Sequence, residues 1–218
     1  MTLDKKLTKK AKEVTNRLKE KYSSECALEY QGEAWKLLVL ARLSAQCTDK
    51  RVNIVAKVLF EEFTRVEDMA DCDIEKLENI IKPCGLYRMK AKEIKASCKM
   101  LLEKFSGEVP DNMEDLLLLP GVGRKIANLI LGDIYGKPAI VADTHCIRIS
   151  GRLGFTDIDE KNPVKVERIL KKYVDEEEQS DFCHRIVQFG REVCSARSPK
   201  CNECFLSDVC DAYKKQIK

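Results

Sequence analysis

The stretch Leu119-Pro120-Gly121-Val122-Gly123-Arg124-Lys125, running on into Ile126-Ala127-Asn128-Leu129-Ile130-Leu131, sets the tightest limit on how this chain can fold. A helical phrase from Asp111 to Leu119 precedes it. The order is therefore helix, glycine-bearing hairpin, helix, with Lys125 in the first turn of the second helix. Two glycines two apart permit backbone angles that a Cβ forbids and let another backbone come close. Pro120 has no N–H to offer and stiffens the entry. N–H groups at the positive end of a helix make a seat for a phosphate. The same pattern also serves as a plain tight connector, and the stretch by itself leaves both readings open.

The rest of the chain reads as helices. Residues 4–22 are charge-rich, with Leu7, Ala11, Val14, Leu18 and Tyr22 forming one narrow apolar stripe. From Gly32 to Ala45 the apolar residues Trp35, Leu37, Leu38, Leu40, Ala41 and Leu43 cover most of a helix circumference, which predicts a helix deep in a core. Thr48 or Asp49 can cap a helix to about Phe63, and Asp73 opens another to Ile81, ended by Pro83-Cys84-Gly85. Arg88 to Phe105 repeats the amphipathic pattern. Beyond the hairpin, Gly136-Lys137-Pro138 is the clearest break, and Ala139 to Ala142 is β-like but too short to build a sheet. Asn162-Pro163 reads as N-cap and first residue of a helix to about Val174, and residues 180–194 form one more. No alternating strand pattern and no internal repeat occurs. The expected fold is all-α, in two small helical lobes divided near residues 136–138.

A net charge of only +3, from 39 basic and 36 acidic side chains, excludes binding of nucleic acid by the whole-protein field. Any such binding needs a local basic surface. Apolar runs are far short of a membrane span, and Met1-Thr2-Leu3-Asp4-Lys5-Lys6 has no hydrophobic signal core. A soluble, cytoplasmic protein is expected. Its 11 cysteines are an odd number, which argues against a simple disulfide framework. Cys26, Cys47, Cys72, Cys84, Cys98, Cys146 and Cys183 are scattered through apolar or helical surroundings, as small core residues in a reducing compartment would be. The other four, Cys194, Cys201, Cys204 and Cys210, fall as C-x6-C-x2-C-x5-C. Four thiolates in so short a segment can wrap one metal centre at little loop-closure cost. Zinc and a 4Fe-4S cluster are both candidates. Zinc sites usually pair two C-x2-C knuckles, and with one knuckle here the wider spans suit the larger cube. Arg197 and Lys200 lie on the loop between the first two ligands, stiffened by Pro199, where they can touch phosphates or simply face solvent.

These pieces resemble the endonuclease III family of DNA glycosylases. The resemblance rests on the hairpin Leu119 to Lys125, on Asp143-Thr144-His145 with Ile147-Arg148, and on the cysteine tail. An early signature adds to it, Leu43-Ser44-Ala45-Gln46-Cys47-Thr48-Asp49 with Arg51-Val52-Asn53. It runs from about residue 25 to Cys210, and the order of the motifs and the eighteen-residue step from Lys125 to Asp143 make chance agreement implausible. The resemblance implies a six-helix bundle over residues 25–136 carrying a helix-hairpin-helix, and a cluster lobe built from residues 1–24 and 137–218. DNA would be gripped in the cleft between them. It implies excision of oxidised pyrimidines and strand cleavage 3′ to the abasic sugar, by a monomer acting on duplex DNA that holds damaged bases or abasic sites.

Lys125 is then the nucleophile that attacks C1′ of a flipped nucleotide and forms a Schiff base. Its place beside the positive end of a helix, together with partial burial, is expected to favour the neutral amine. Asp143 supplies negative charge to an oxocarbenium-like sugar and helps move the proton from Lys125; it is equally a good helix N-cap. The resemblance makes His145 a phosphate contact and gives Gly121, Val122, Gly123 and Arg124 to the hairpin's grip on the strand. Gln46 and Leu86 would fill the hole left by the extruded base. Ile126, Ala142, Cys47 and Cys146 depart from the family pattern and leave the base pocket open. Two rival readings are a monofunctional adenine or thymine mismatch glycosylase of the same superfamily and a non-catalytic DNA-binding or redox-sensing iron–sulfur protein. Lys125 counts against the first, and the paired Lys125 and Asp143 against the second.

Overall fold

The computed structural model describes residues 2–215, whose regular secondary structure is all helical, with no strand among them. The chain divides into two compact units, one of Met1–Glu25 with Gly136–Lys218 and the other of Cys26–Tyr135. Helix α1 (Leu3–Lys21) belongs to the first and turns Ala11, Val14 and Leu18 into its core, with Leu7 and Tyr22 at the margin.

The Cys26–Tyr135 unit is wound around α2 (Ala34–Leu43), where Trp35 and every residue from Leu37 to Ala41, together with Leu43, is buried. A ten-residue helix with only Lys36 and Arg42 polar, and eight of its residues buried, offers almost no face to water, so its neighbours must surround it. Those that pack on it are α3 (Asp49–Glu62), α6 (Tyr87–Phe105) and α8 (Arg124–Asp133); α4 (Val66–Asp71), α5 (Ile74–Ile81), a 3-10 turn (Lys82–Cys84) and α7 (Met113–Leu118) complete the unit. Thr48 caps α3 by accepting from Arg51 N, and Asp73 caps α5 by accepting from Glu75 N at 3.1 Å. Gly85, with φ of 68°, stops the 3-10 turn. Long α6 lies against α4 and α5 on one side and α2 on another, and α2 in turn backs α8.

In the other unit, Ala139 and Ile140 run extended into the core without pairing as a strand. Helix α9 (Thr144–Leu153) follows, then α10 (Pro163–Tyr173), α11 (Gln179–Glu192) and the short α12 (Asp211–Lys214). Asn162 caps α10 by accepting from Val164 N at 2.9 Å and Lys165 N at 3.3 Å, with Pro163 at the first helical position. The core joins α1, α9, α10 and α11 through Ile149, Leu153, Val166, Leu170, Phe182, Ile186 and Phe189. Among the described residues no helix is long and apolar enough to cross a membrane.

Candidate functional site

The hairpin between α7 and α8 is a type II turn. Val122 N–H donates to Leu119 O at 3.1 Å, Pro120 supplies the fixed φ, and Gly121 takes φ of +76°. Only Gly121 needs its freedom: a Cβ there would stand 2.8 Å from both Arg42 Nε and Glu93 Oε2. Gly123 has φ of −104°, which any residue adopts, and a Cβ on it meets nothing within 4 Å. Its role is therefore open space, not backbone strain. Val122 is turned inward and 9% exposed, with its N–H spent on the turn, so it anchors the hairpin and is not itself a surface contact.

Three side chains brace this turn from below. Arg42 of α2 and Glu93 of α6 form an ion pair directly under Gly121, and Ser97 Oγ donates to Pro120 O at 2.7 Å. The glycine at the N-cap of α8 gives the first turn no side-chain cap. The backbone donors there are thus left to whatever approaches from outside. Arg124 and Lys125, the first two residues of α8, are exposed. Partial burial of Lys125 is expected from the sequence; the side chain stands in solvent instead, because it opens a helix that starts from an exposed turn.

Gln46 and Leu86 share an unusual backbone. Both adopt left-handed geometry, with φ of 55° and 49°, and both are exposed. Such a conformation costs an L residue roughly 1–2 kcal/mol and persists only where neighbouring structure dictates it. Gln46 follows α2, and Leu86 joins the 3-10 turn to α6 and is 50% exposed.

In the other unit Asp143 is the N-cap of α9, accepting from Cys146 N at 2.7 Å. Held this way, the half-buried carboxylate has a fixed direction. One turn on, the Arg148 guanidinium lies 3.1 Å from His145 Nδ1. Arginine can only donate, so Nδ1 accepts and the ring proton is assigned to Nε2. Gly190 of α11 makes room for the pair, since a Cβ there would come within 2.5 Å of His145 Nδ1. Arg148 also donates to Gly190 O at 3.2 Å and Cys194 O at 3.0 Å.

Cys194, Cys201, Cys204 and Cys210 line one pocket whose walls include Ile149, Leu153, Phe189 and Leu206. None of the eleven cysteines is paired in a disulfide. Burial pushes the Cys204 and Cys210 thiols up, and the neighbouring sulfurs push them further. Four half-buried thiols crowded into an apolar pocket are unstable as bare thiolates and suit a soft, multiply charged metal centre that offsets the desolvation. Donors already point at the sulfurs and at the carbonyls beside them. Arg152 Nη1 lies 3.3 Å from Cys194 Sγ and donates to Ser195 O at 2.7 Å, and Leu206 N donates to Cys204 Sγ at 3.4 Å.

Helix α1 clamps the far side of the tail. Lys10 donates to Leu153 O at 2.7 Å and pairs with Asp211, while Arg17 holds Phe205 O at 2.8 Å and both oxygens of Asp208. The loop from Cys194 to Cys201 carries Arg197 and Lys200, both exposed. Sequence reasoning did not single out these clamps or the Arg42–Glu93 brace. Each links residues far apart in the chain, for which local pattern gives no signal.

Comparison with known proteins matches this geometry. The family model described as HhH-GPD superfamily base excision DNA repair protein covers residues 39–176. The iron–sulfur binding domain of endonuclease III covers residues 194–210, so the four-thiol site is that of the 4Fe-4S cluster. Endonuclease III of Synechocystis is 42% identical over 203 residues, 92% of this chain and 91% of that protein. The Bacillus subtilis endonuclease III is 43% identical over 195 residues, 89% of this chain and 88% of that one. A solved structure of a trapped endonuclease III–DNA covalent intermediate, the estranged-adenine complex, matches over 100% of both chains with a TM-score of 0.89 at 39% identity. Likeness at this level over nearly the whole length means that the chain belongs to the endonuclease III family, within the HhH-GPD superfamily.

Proposed function

We propose that this protein is a DNA glycosylase and abasic-site lyase that excises oxidised pyrimidines from duplex DNA and cuts the strand on the 3′ side. The observation that carries this reading is Lys125. It is an exposed amine in the first turn of α8, directly behind a hairpin whose helix start has no side-chain cap. Phosphate held on those N–H groups and on Arg124 would bring the sugar of a neighbouring nucleotide to the amine. The solved relative trapped covalently with DNA supports the same chemistry.

The proposed reaction begins with extrusion of the damaged nucleotide, Gln46 and Leu86 taking its place in the stack. The Lys125 amine bonds to C1′ as the glycosidic bond breaks and the base leaves with the electron pair, taking up a proton. Asp143, fixed at the start of α9, stabilises positive charge on the sugar and accepts the proton shed by the amine. The C1′–O4′ bond then breaks, O4′ taking up a proton as the ring opens to the iminium; this makes the C2′ proton acidic, its removal expels the 3′ phosphate, and water releases the lysine. His145, Arg197 and Lys200 contribute phosphate contacts, and the cluster ties the loop that holds the last two. The protein would act as a monomer wherever its DNA lies, which in bacteria is the cytoplasm.

Duplexes each bearing one oxidised pyrimidine test this reading. The expected products are free base and a strand ending in a 3′ unsaturated aldehyde without alkali. Release of base that leaves an intact abasic strand would identify a monofunctional enzyme and overturn it.

The hairpin yields a paired prediction. Gly121→Ala should cost about 2 kcal/mol or more, because it forces a strained φ and a clash with the Arg42–Glu93 pair. Gly123→Ala should keep stability to within about 1 kcal/mol, the poorer N-cap offsetting the unfolded-chain entropy gained, yet weaken DNA binding about tenfold by filling the space a phosphate needs. Thermal melts and a binding titration on the two variants decide it. Leu86→Gly should likewise keep or raise stability by roughly 1 kcal/mol, since it relieves left-handed strain, while slowing single-turnover excision. An unchanged excision rate in that variant would remove Leu86 from the mechanism.

A further inference from the structure

The segments that bear Gln46 and Leu86 meet at one buried cation. Lys90, in the first turn of α6, has 0% exposure. Its Nζ donates to Leu43 O at 2.8 Å and to Cys84 O at 2.8 Å. Leu43 is the last residue of α2, three before Gln46; Cys84 is the last of the 3-10 turn, two before Leu86. Both partners are carbonyl oxygens at the C-terminal ends of helical segments, neutral acceptors whose dipoles favour a cation.

Burying an ammonium against neutral groups is costly, and burial pushes Lys90 down from the usual lysine range. A methionine would fill the same volume without that cost. What methionine lacks is the ability to hold two carbonyls at once. Both loops also sit in left-handed geometry that their own residues disfavour, so something beyond local preference holds them. We infer that Lys90 is a positioning residue for base extrusion, its ammonium tying the end of α2 to the end of the 3-10 turn so that Gln46 and Leu86 enter the duplex as one rigid pair. This rests on the insertion role proposed above for those two residues. A side chain that replaces a base must resist the closing stack, and a wedge on two independent loops would yield.

A double-mutant cycle tests it. Lys90→Met, the Gln46→Ala/Leu86→Ala pair and the triple variant are compared with wild type. The readouts are single-turnover excision of an oxidised pyrimidine and the fluorescence of 2-aminopurine placed opposite it, which brightens as the stack is invaded. Lys90→Met is expected to lower excision about tenfold to a hundredfold and to dim the 2-aminopurine signal. In the Gln46→Ala/Leu86→Ala background the same change should alter excision by less than roughly twofold, because the element it positions is gone. Should Lys90→Met fail to fold, Lys90→Gln, which keeps two N–H donors on a shorter arm, takes its place in the cycle. Wild-type fluorescence and rate in the Lys90 variant, or a loss that simply adds in the wedge-free background, overturns the inference. A wild-type rate in the Gln46→Ala/Leu86→Ala pair instead shows that the insertion reading itself fails, and Lys90 with it.

Discussion

Lys125→Ala is expected to abolish strand cleavage and to slow base release by at least on the order of 10³-fold, with the protein still folded and still bound to DNA. The reason is covalent. Without the amine there is no iminium, and without the iminium the C2′ proton is not acidic enough for the 3′ phosphate to leave. Stability should barely move, since the residue is exposed at the start of a helix and alanine is a good helix former. Losing one of several charges near the strand should change affinity by less than about tenfold and lower its salt dependence by roughly one counterion. Gel analysis of a nicked product and a salt titration of binding measure the two halves. Residual cleavage within about tenfold of wild type would mean that another group is the nucleophile.

The second large effect concerns the cluster. Cys204→Ala removes the half-buried thiol that accepts from Leu206 N between the tail's two short 3-10 turns. The tail has a small core of its own: Leu206 and Ala212 are buried, Phe205 packs on Phe189 and Tyr22, and Lys10, Arg17, Arg148 and Arg152 hold nearby carbonyls and carboxylates. Those partly exposed contacts are each worth about 1 kcal/mol, whereas small metal sites bind with on the order of 10 kcal/mol. The variant should therefore lose visible absorption, become open to protease between Cys194 and Lys215, and melt on the order of 10 °C lower. DNA affinity should fall with it, because Arg197 and Lys200 hang on the loop between two ligands. The Cys26–Tyr135 unit draws its core from α2 and should keep its helices, which circular dichroism would register as partial loss only. A colourless variant with full stability and full activity would show the site to be ornamental.

Much of this architecture was legible because it is local. Thr48, Asp73 and Asn162 cap helices by bonding two or three residues ahead, and composition alone announces such caps. The all-round apolar run at Trp35 to Leu43 likewise could only be a core helix. Helix α4 was not legible: it has six residues, and its reciprocal cap involves Arg65 with Asp68 in place of the usual serine or aspartate start. The left-handed turns at Gln46 and Leu86 were hidden for a related reason, as neither carries the glycine that normally flags one. Val122 shows the limit at the site itself. A short motif identifies a hairpin, but which of its residues faces inward depends on what lies beneath, here Arg42, Glu93 and Ser97 from helices distant in sequence. The five fully buried scattered cysteines fit the core role read for them, while Cys26 and Cys47 are half-buried at the margins.

The central claim is that Lys125 forms the covalent bond to DNA, and borohydride reduction followed by peptide mapping tests it most directly. Wild-type protein incubated with a lesion-bearing duplex and borohydride should yield one cross-linked species. Mass spectrometry should find the reduced sugar remnant on the peptide that contains Gly123-Arg124-Lys125. A remnant on any other lysine or on the N-terminal amine, or an equal yield of adduct from Lys125→Ala, would contradict the account.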